Sequence, residues 1–152
     1  MPITIRRAHI AEGSDDLVKV AKLDVALNKE SFGNKCWFSA EGRVADWLLG
    51  QKNNGHPGLV LLAEEDKSPK GHVIYLMKEN NVCFLSSLYV AKDFRGAGIG
   101  SKLLNCVVRD AKSRALSEVY VTPSKDSKPF YERNGFLVRE NKPLVIMYLP
   151  LV

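Results

Sequence analysis

The order of periodic segments along these 152 residues predicts a mixed α/β domain built on one sheet. Three observations carry that expectation. Between Leu59 and Val90, apolar runs alternate with polar turns, which is the pattern of antiparallel hairpins. A glycine cluster then joins the last run to the most regular amphipathic helix of the chain. A strand, a short helix and two further strands come after it. A meander followed by a strand-helix-strand crossover gives a mixed, mostly antiparallel sheet with helices on both faces.

Each element has its own reason. Ile3-Thr4-Ile5-Arg6-Arg7 alternates and reads as a first strand. Ser14-Asp15-Asp16 is a helix start, and Leu17, Val20 and Ala21 carry the helix toward Asn28. Lys29 to Ala40 lacks a period and reads as an irregular loop with exposed aromatics. Ser39 caps a second helix through Val44, Trp47, Leu48 and Leu49, and Gly50 ends it. Gln51 to Gly58 is a polar linker. Leu59 to Glu64, His72 to Met77 and Val82 to Val90 are strands, separated by turns at Asp66 to Gly71 and Glu79 to Asn81. Gly98 to Ala115 is a helix whose face is Ile99, Leu103, Val107, Ala111 and Ala115, widened by Leu104 and Val108. Glu118 to Thr122 is a strand, Ser124 to Asn134 a helix, and Phe136 to Arg139 and Leu144 to Leu149 are strands. The order is β-α-α-β-β-β-α-β-α-β-β. No repeat or low-complexity stretch divides the chain, so a single domain over 1–152 is expected.

Composition narrows the class. Hydrophobic residues are 45% and charged residues 26%, which suits a water-soluble globule with a real core. No apolar run reaches membrane-spanning length, and Met1 to Arg7 lacks the apolar core of a signal peptide. Cys36, Cys83 and Cys106 are widely spaced and form no metal-ligand pattern. A cytoplasmic setting is the expectation, with no membrane and no metal. The net charge of +5 suits a polyanionic ligand, but the basic residues are scattered and no nucleic-acid motif is present. Nucleic acid is therefore not an expected partner, and charge alone supports a tRNA-directed acyltransferase.

The glycine cluster carries the chemistry. Leu88-Tyr89-Val90 leads into Arg95-Gly96-Ala97-Gly98-Ile99-Gly100-Ser101, then into the long helix. A strand feeding a glycine turn into a helix start is an anion-binding device. The first N–H groups lack helical partners, and the helix dipole adds positive potential there. The dinucleotide pattern fails because Ser101 stands where a third glycine belongs. The Walker pattern fails because Ser101 precedes Lys102.

What remains is R-x-x-G-x-G, on Arg95, Gly98 and Gly100. It resembles the coenzyme-A signature of the GNAT superfamily of N-acetyltransferases. Downstream, Phe130-Tyr131-Glu132-Arg133-Asn134-Gly135-Phe136 resembles that family's F-Y-x-x-x-G-F segment. The resemblance implies a GNAT fold, in which the strand before the glycine loop and the strand after the long helix splay into a V-shaped gap. It implies acetyl-CoA as acyl donor and direct transfer to a primary amine in a ternary complex. The pyrophosphate would meet Gly96, Ala97, Gly98, Ile99, Gly100 and Ser101, with Arg95 adding charge or bracing the turn. The pantetheine would run along Leu88, Tyr89 and Val90, and the thioester carbonyl would meet an N–H near Leu88, freed by a bulge or by the splay. Ser124 stands where many relatives carry a cofactor-contacting Asn. Tyr131 would be the general acid for the departing thiolate.

Phe32, Trp37 and Phe38 would line the acceptor pocket, by the same resemblance. The acceptor would be a small amine or an amine on a peptide or protein, and a homodimer is compatible with the sequence. One departure is notable. Many relatives carry a Glu on the strand before Leu-Tyr-Val, where this chain has Ser86 and Ser87. Glu30, Glu41, His72 and Glu79 are the candidate bases, and none is assigned. The competing reading is a non-catalytic CoA-binding module on the same fold.

Overall fold

A computed structural model describes residues 2–32, 40–53 and 58–151; the side chains of Phe32, Lys52 and Asn53 fall outside that description. The elements are β1 (Thr4–Arg7), α1 (Asp15–Phe32), α2 (Glu41–Asn53), β2 (Leu59–Glu65), β3 (Ser68–Lys78) and β4 (Val82–Val90). Then come α3 (Ile99–Ser113), β5 (Glu118–Val121), α4 (Lys128–Arg133), β6 (Leu137–Glu140) and β7 (Ile146–Pro150). The order is the one the sequence predicts. Seven strands form one sheet in the order β1-β2-β3-β4-β5-β7-β6. Every ladder is antiparallel except β4 with β5, the pair joined through α3.

Several boundaries differ from the expected ones. α1 runs on to Phe32, so Lys29 to Phe32 is helix rather than loop. α2 continues through Gly50 to Asn53, because an internal glycine costs only about 1 kcal/mol and the helix packs on α1. The Asp66 to Gly71 turn shrinks to Asp66-Lys67, both left-handed, and β3 begins at Ser68. α3 stops at Ser113, and Ala115 takes the left-handed position after the helix end, exposed rather than on the apolar face. α4 occupies only Lys128–Arg133 of the longer expected span.

The sheet is covered on both faces. On one, α3 buries Ile99, Leu103, Leu104, Val107 and Ala111 against Val73, Tyr75, Cys83 and Leu85. On the other, α1 and α2 bury Val20, Ala21, Val44 and Leu48 against Val60, Leu62 and Ile74. Cys83 is buried and Cys106 half-buried, while Cys36 lies outside the described residues.

Glu64 on β2 is buried and ties three elements together. Arg6 Nε donates to its carboxylate at 2.6 Å and Lys19 Nζ at 2.9 Å, while Arg6 also forks onto Asp16 at 2.7 and 2.8 Å. Burial alone would raise the Glu64 pKa, but the hydrogen bonds from Arg6 and Lys19 hold it below its usual 4.5. A depressed carboxylate stabilises the fold above its unfolded pKa and loses that contribution as pH falls through the folded value. Stability should therefore decline below about pH 4.5. Glu64→Gln should cost about 1 kcal/mol at pH 7, since both cations reach solvent, and should flatten that acid limb. Urea melts between pH 3 and 7 would show it. An acid limb unchanged in the variant would place the titrating group elsewhere.

Candidate active site

The site is built where β4 outruns β5. The parallel ladder pairs Val82, Cys83, Phe84 and Leu85 with Glu118, Val119, Tyr120 and Val121, and stops there. β4 continues to Val90, paired only with β3. This is the splay expected from the resemblance.

A bulge sits at its start. Ile74 faces Ser87 while Tyr75 faces Leu85, so Ser86 is an extra residue in β4. The insertion reverses the facing of the residues beyond it. Cys83 and Leu85 pack toward α3, and so do Leu88 and Val90 past the bulge. Ser87 is thereby turned to the opposite face with Tyr89, toward α1. In an unbulged strand Ser87 would share the face of Leu85.

The main chain beyond the bulge is available. Ala91 N donates to Lys70 O at 2.7 Å, which makes Lys70 and Ala91 a hydrogen-bonded pair. Alternation then makes Tyr89 with His72 another, and turns the N–H and C=O of Leu88 and Val90 away from β3 toward the gap. The Val90 carbonyl is taken by Arg95 Nε at 2.9 Å. The Tyr89 main chain is spent on β3, and its hydroxyl donates to Glu30 at 2.8 Å, so Tyr89 forms wall rather than a strand-edge partner.

The glycine turn ends in an open helix start. Gly98 is the N-cap of α3, in the left-handed region at φ 81°, with no side chain capping the helix and no acid in its first turn. Gly100 is needed for space, because a Cβ there would lie 3.2 Å from the Phe130 ring and 3.7 Å from Leu88. Arg95 braces the turn. Besides Val90 it reaches Glu30 at 2.7 Å and stacks over Tyr89.

Two adjoining cavities occupy the gap. The larger, about 530 Å³, runs from the glycine turn past Leu88 and Val90 to α4 and includes Arg95, Gly96, Gly100, Lys125 and Arg133. The smaller, about 290 Å³, lies between the bulge, the end of β5, α1 and α2. Leu27, Ser31, Leu88, Ser124 and Ser127 line both. The Ser124 hydroxyl hydrogen-bonds with that of Ser127, and its carbonyl accepts the N–H groups of Ser127 and Lys128. Ser124 therefore starts α4 as well as walling both cavities.

Tyr131 reaches the smaller cavity from α4. Its ring is wedged between Phe130 and Phe136, with centroids 5.1 and 5.2 Å away in edge contacts. The residue is 4% exposed, and burial pushes the phenol well above its ordinary value of 10. Gly135, at φ 89°, ends the helix in the left-handed position expected for it.

Across the cavity stands a group that the sequence alone does not single out. Asp24 on α1 is 9% exposed and lines the same cavity. His72 Nε2 lies 2.9 Å from its Oδ1, and Asn28 Nδ2 donates to its Oδ2 at 3.3 Å. The Ser87 hydroxyl lies 3.2 Å from the same His72 Nε2. Burial would raise the Asp24 pKa, but these hydrogen bonds, His72 first, hold it below the usual 3.8. An ionised carboxylate only accepts, so His72 donates from Nε2. Its Nδ1 is buried with no partner among the described residues.

Asp24 sits in the apolar stripe Leu17, Val20, Ala21 of α1, and His72 lies in an apolar strand. A carboxylate on a core face and a histidine in a core strand were the available signals. Of the other candidate bases, Glu30 is tied to Arg95 and Tyr89, and Glu79 lies in the β3–β4 turn at the far end of the sheet. Of the expected acceptor-pocket residues, Trp37, Phe38 and the Phe32 side chain lie outside the described residues. Trp47 of α2 supplies an aromatic wall to the smaller cavity.

The acetyltransferase (GNAT) family profile matches residues 27–136. The chain belongs to the GNAT acetyltransferase family. It is 25% identical over 138 residues to a 5-NmdU N-acetyltransferase of Pseudomonas phage PaMx11, covering 90% of this chain and 88% of that protein. It is 30% identical over 115 residues to an uncharacterized N-acetyltransferase of Methanocaldococcus jannaschii, covering 70% of this chain but spanning only 48% of that relative. Among solved structures it is similar to the PaiA N-acetyltransferase of Thermoplasma acidophilum in complex with coenzyme A. The TM-score is 0.78 at 20% identity over 99% of both chains, which shows a shared fold.

The buried phenol gives a direct check. A 13C label on the tyrosine ring carbons, with Tyr131→Phe used to assign the signal, should show Tyr131 still protonated at pH 10. A midpoint at or below 10 would mean that water reaches the ring more freely than its packing implies.

Proposed function

We propose that this protein transfers an acetyl group from acetyl-CoA to a primary amine, directly and within a ternary complex. The observation that carries the reading is the gap itself. Two adjoining cavities that share Leu88, Ser124 and Ser127 lead from an uncapped helix N-terminus, past strand-edge N–H groups on Leu88 and Val90, to the buried Tyr131 phenol. That sequence of features matches the donor's three parts: pyrophosphate, extended pantetheine amides and thioester. The Thermoplasma neighbour holds coenzyme A on the same fold.

The N–H groups from Gly96 to Ser101 bind the pyrophosphate, with dipole assistance from α3. Lys125 and Arg133, lining the same space, add positive charge. Leu88 and Val90 take the pantetheine amides in the manner of an added strand. The Leu88 N–H polarises the thioester carbonyl and stabilises the oxyanion that forms on attack. The nitrogen lone pair forms the C–N bond. The C–S bond then breaks with its electron pair on sulfur, and the Tyr131 hydroxyl protonates the thiolate. A phenol whose ionisation burial opposes stays protonated through neutral pH and remains an acid at the moment it is needed.

The acceptor is a small amine or an amine on a peptide or protein. The phage relative's name makes 5-NmdU one compound for the panel. Thiol release from acetyl-CoA should be followed with propylamine, tyramine, spermidine, an alanyl peptide and 5-NmdU. Inactivity with every one of them, alongside tight coenzyme A binding, would favour the non-catalytic module.

Two variants test the parts. Coenzyme A should raise the Tm of the wild type by mass action. Gly98→Val should lose that shift and be less stable by about 1–2 kcal/mol, because its φ of 81° strains any side chain. A retained shift would place the phosphates elsewhere. Tyr131→Phe should keep coenzyme A binding and lower turnover by about 10²–10⁴. Full activity in that variant would show that thiolate departure needs no acid from Tyr131.

A further inference from the structure

We infer that Asp24 is the group that faces the acceptor nitrogen, orients it and takes its proton, with His72, which Ser87 contacts in turn, as the residue that positions Asp24. The inference rests on the acetyl-transfer reading and names the base within it.

Four observations lead there. Asp24 is the one carboxylate among the described residues lining the smaller cavity, and no Lys, Arg or Glu stands with it. The basic residues of the gap, Arg95, Lys125 and Arg133, line the other cavity, where Glu30 is paired with Arg95 and Asp126 is the second carboxylate. The charge is thus divided: an anionic ligand suits the glycine-turn end and an amino group suits the Asp24 end. Second, Asp24 and Tyr131 line one space with Leu88 between the two cavities, so an acceptor nitrogen at Asp24 shares that space with the thioester end of the donor.

Third, the carboxylate is held but not saturated. It has about four acceptor sites. His72 and Asn28 donate to it, which leaves room for an N–H from the cavity. Fourth, the arrangement is built from buried polar groups in otherwise apolar elements. His72 is fully buried with an unpartnered Nδ1, a cost of about 1–3 kcal/mol that packing alone would not retain. The bulge at Ser86 turns Ser87 to the α1 face, where its hydroxyl lies 3.2 Å from His72 Nε2. β4 itself carries serines, not acids, at this point.

The proton inventory closes. The amine enters in its neutral, solvent-equilibrated form and donates one N–H hydrogen bond to Asp24, which aims its lone pair away from the carboxylate. The lone pair attacks the thioester carbon, and the C=O pair moves to oxygen. The nitrogen now carries a positive charge and grows steeply more acidic as the C–S bond breaks and the amide forms. Its proton passes to Asp24 at that stage, which suits a carboxylate whose pKa is low. Sulfur takes the Tyr131 proton. Asp24 then releases its proton to solvent, and tyrosinate recovers one from solvent. The sum is amine plus acetyl-CoA giving amide plus CoA thiol.

The test is steady-state thiol release with the same amines, on wild type and Asp24→Asn. The variant should lose about 10²–10⁴ in kcat/KM for the amine, while KM for acetyl-CoA and the Tm shift by coenzyme A stay within about twofold. Asp24→Ala should regain activity with added formate, a carboxylate small enough for the vacated space. Should the Asn variant not fold, Asp24→Glu with its own kcat and KM replaces it, and a parent-like KM for acetyl-CoA with lowered kcat supports the inference. Parent activity in Asp24→Asn overturns the inference and leaves acetyl transfer standing. Equal losses in amine turnover and coenzyme A binding also overturn it, by making Asp24 structural. A wild type inactive on the whole panel overturns both readings.

Discussion

One inserted residue organises this molecule. Ser86 adds a step to β4 without adding one to β3. The strand has two jobs on either side of that step. Before it, Val82 to Leu85 close the sheet against β5 and bury Cys83 and Leu85 under α3. After it, the same strand presents an unpaired edge. The N–H groups of Leu88 and Val90 on that edge stay turned to the gap rather than to a neighbouring strand. The bulge also resets the alternation of side chains, which sends Ser87 to α1 and keeps Leu88 and Val90 on the α3 side.

The gap is held open by packing, not by charge. Phe130 sits against Gly100, and Phe136 clamps Tyr131 from the other side. A larger residue at position 100 would press on Phe130 and shift the helix that carries Tyr131. The glycine turn and the helix that carries Tyr131 are therefore coupled through one aromatic contact. Arg95 adds a second link, from the glycine turn to Glu30 at the end of α1. Both charges of that pair are largely exposed, so its energetic weight is small and its value is geometric.

Much of this was legible in the sequence. The element order came from periodicity and turn residues, and the glycine turn announced a helix start open to anions. Gly135 marked the end of α4 for a reason particular to glycine. The misplaced boundaries share a cause: local signals were outweighed by packing. Gly50 reads as a stop, yet α2 continues because Val44 and Leu48 anchor it on α1. Lys29–Phe32 reads as loop because the Lys29 to Ala40 stretch shows no period, yet it extends a helix that is already nucleated. Asp24 escaped notice differently. Its place in the stripe of α1 was visible, but its meaning depends on His72, 48 residues away, and on a bulge that shifts register by one. No local window contains that relation.

The two titratable groups of the smaller cavity are driven in opposite directions by different physics. Tyr131 is surrounded by rings and has only burial acting on it, so its neutral form is favoured. Asp24 is also buried, yet His72 and Asn28 donate to it and its charged form is favoured. Burial by itself would have neutralised both. Polar partners placed on one side of the cavity and apolar partners on the other keep a carboxylate and a phenol apart in protonation within one small space. The separation needs no catalytic histidine in the open, and His72 can remain fully enclosed. From there it donates to the Asp24 carboxylate and favours its ionised form, the form that the proposed late proton transfer from a forming amide requires.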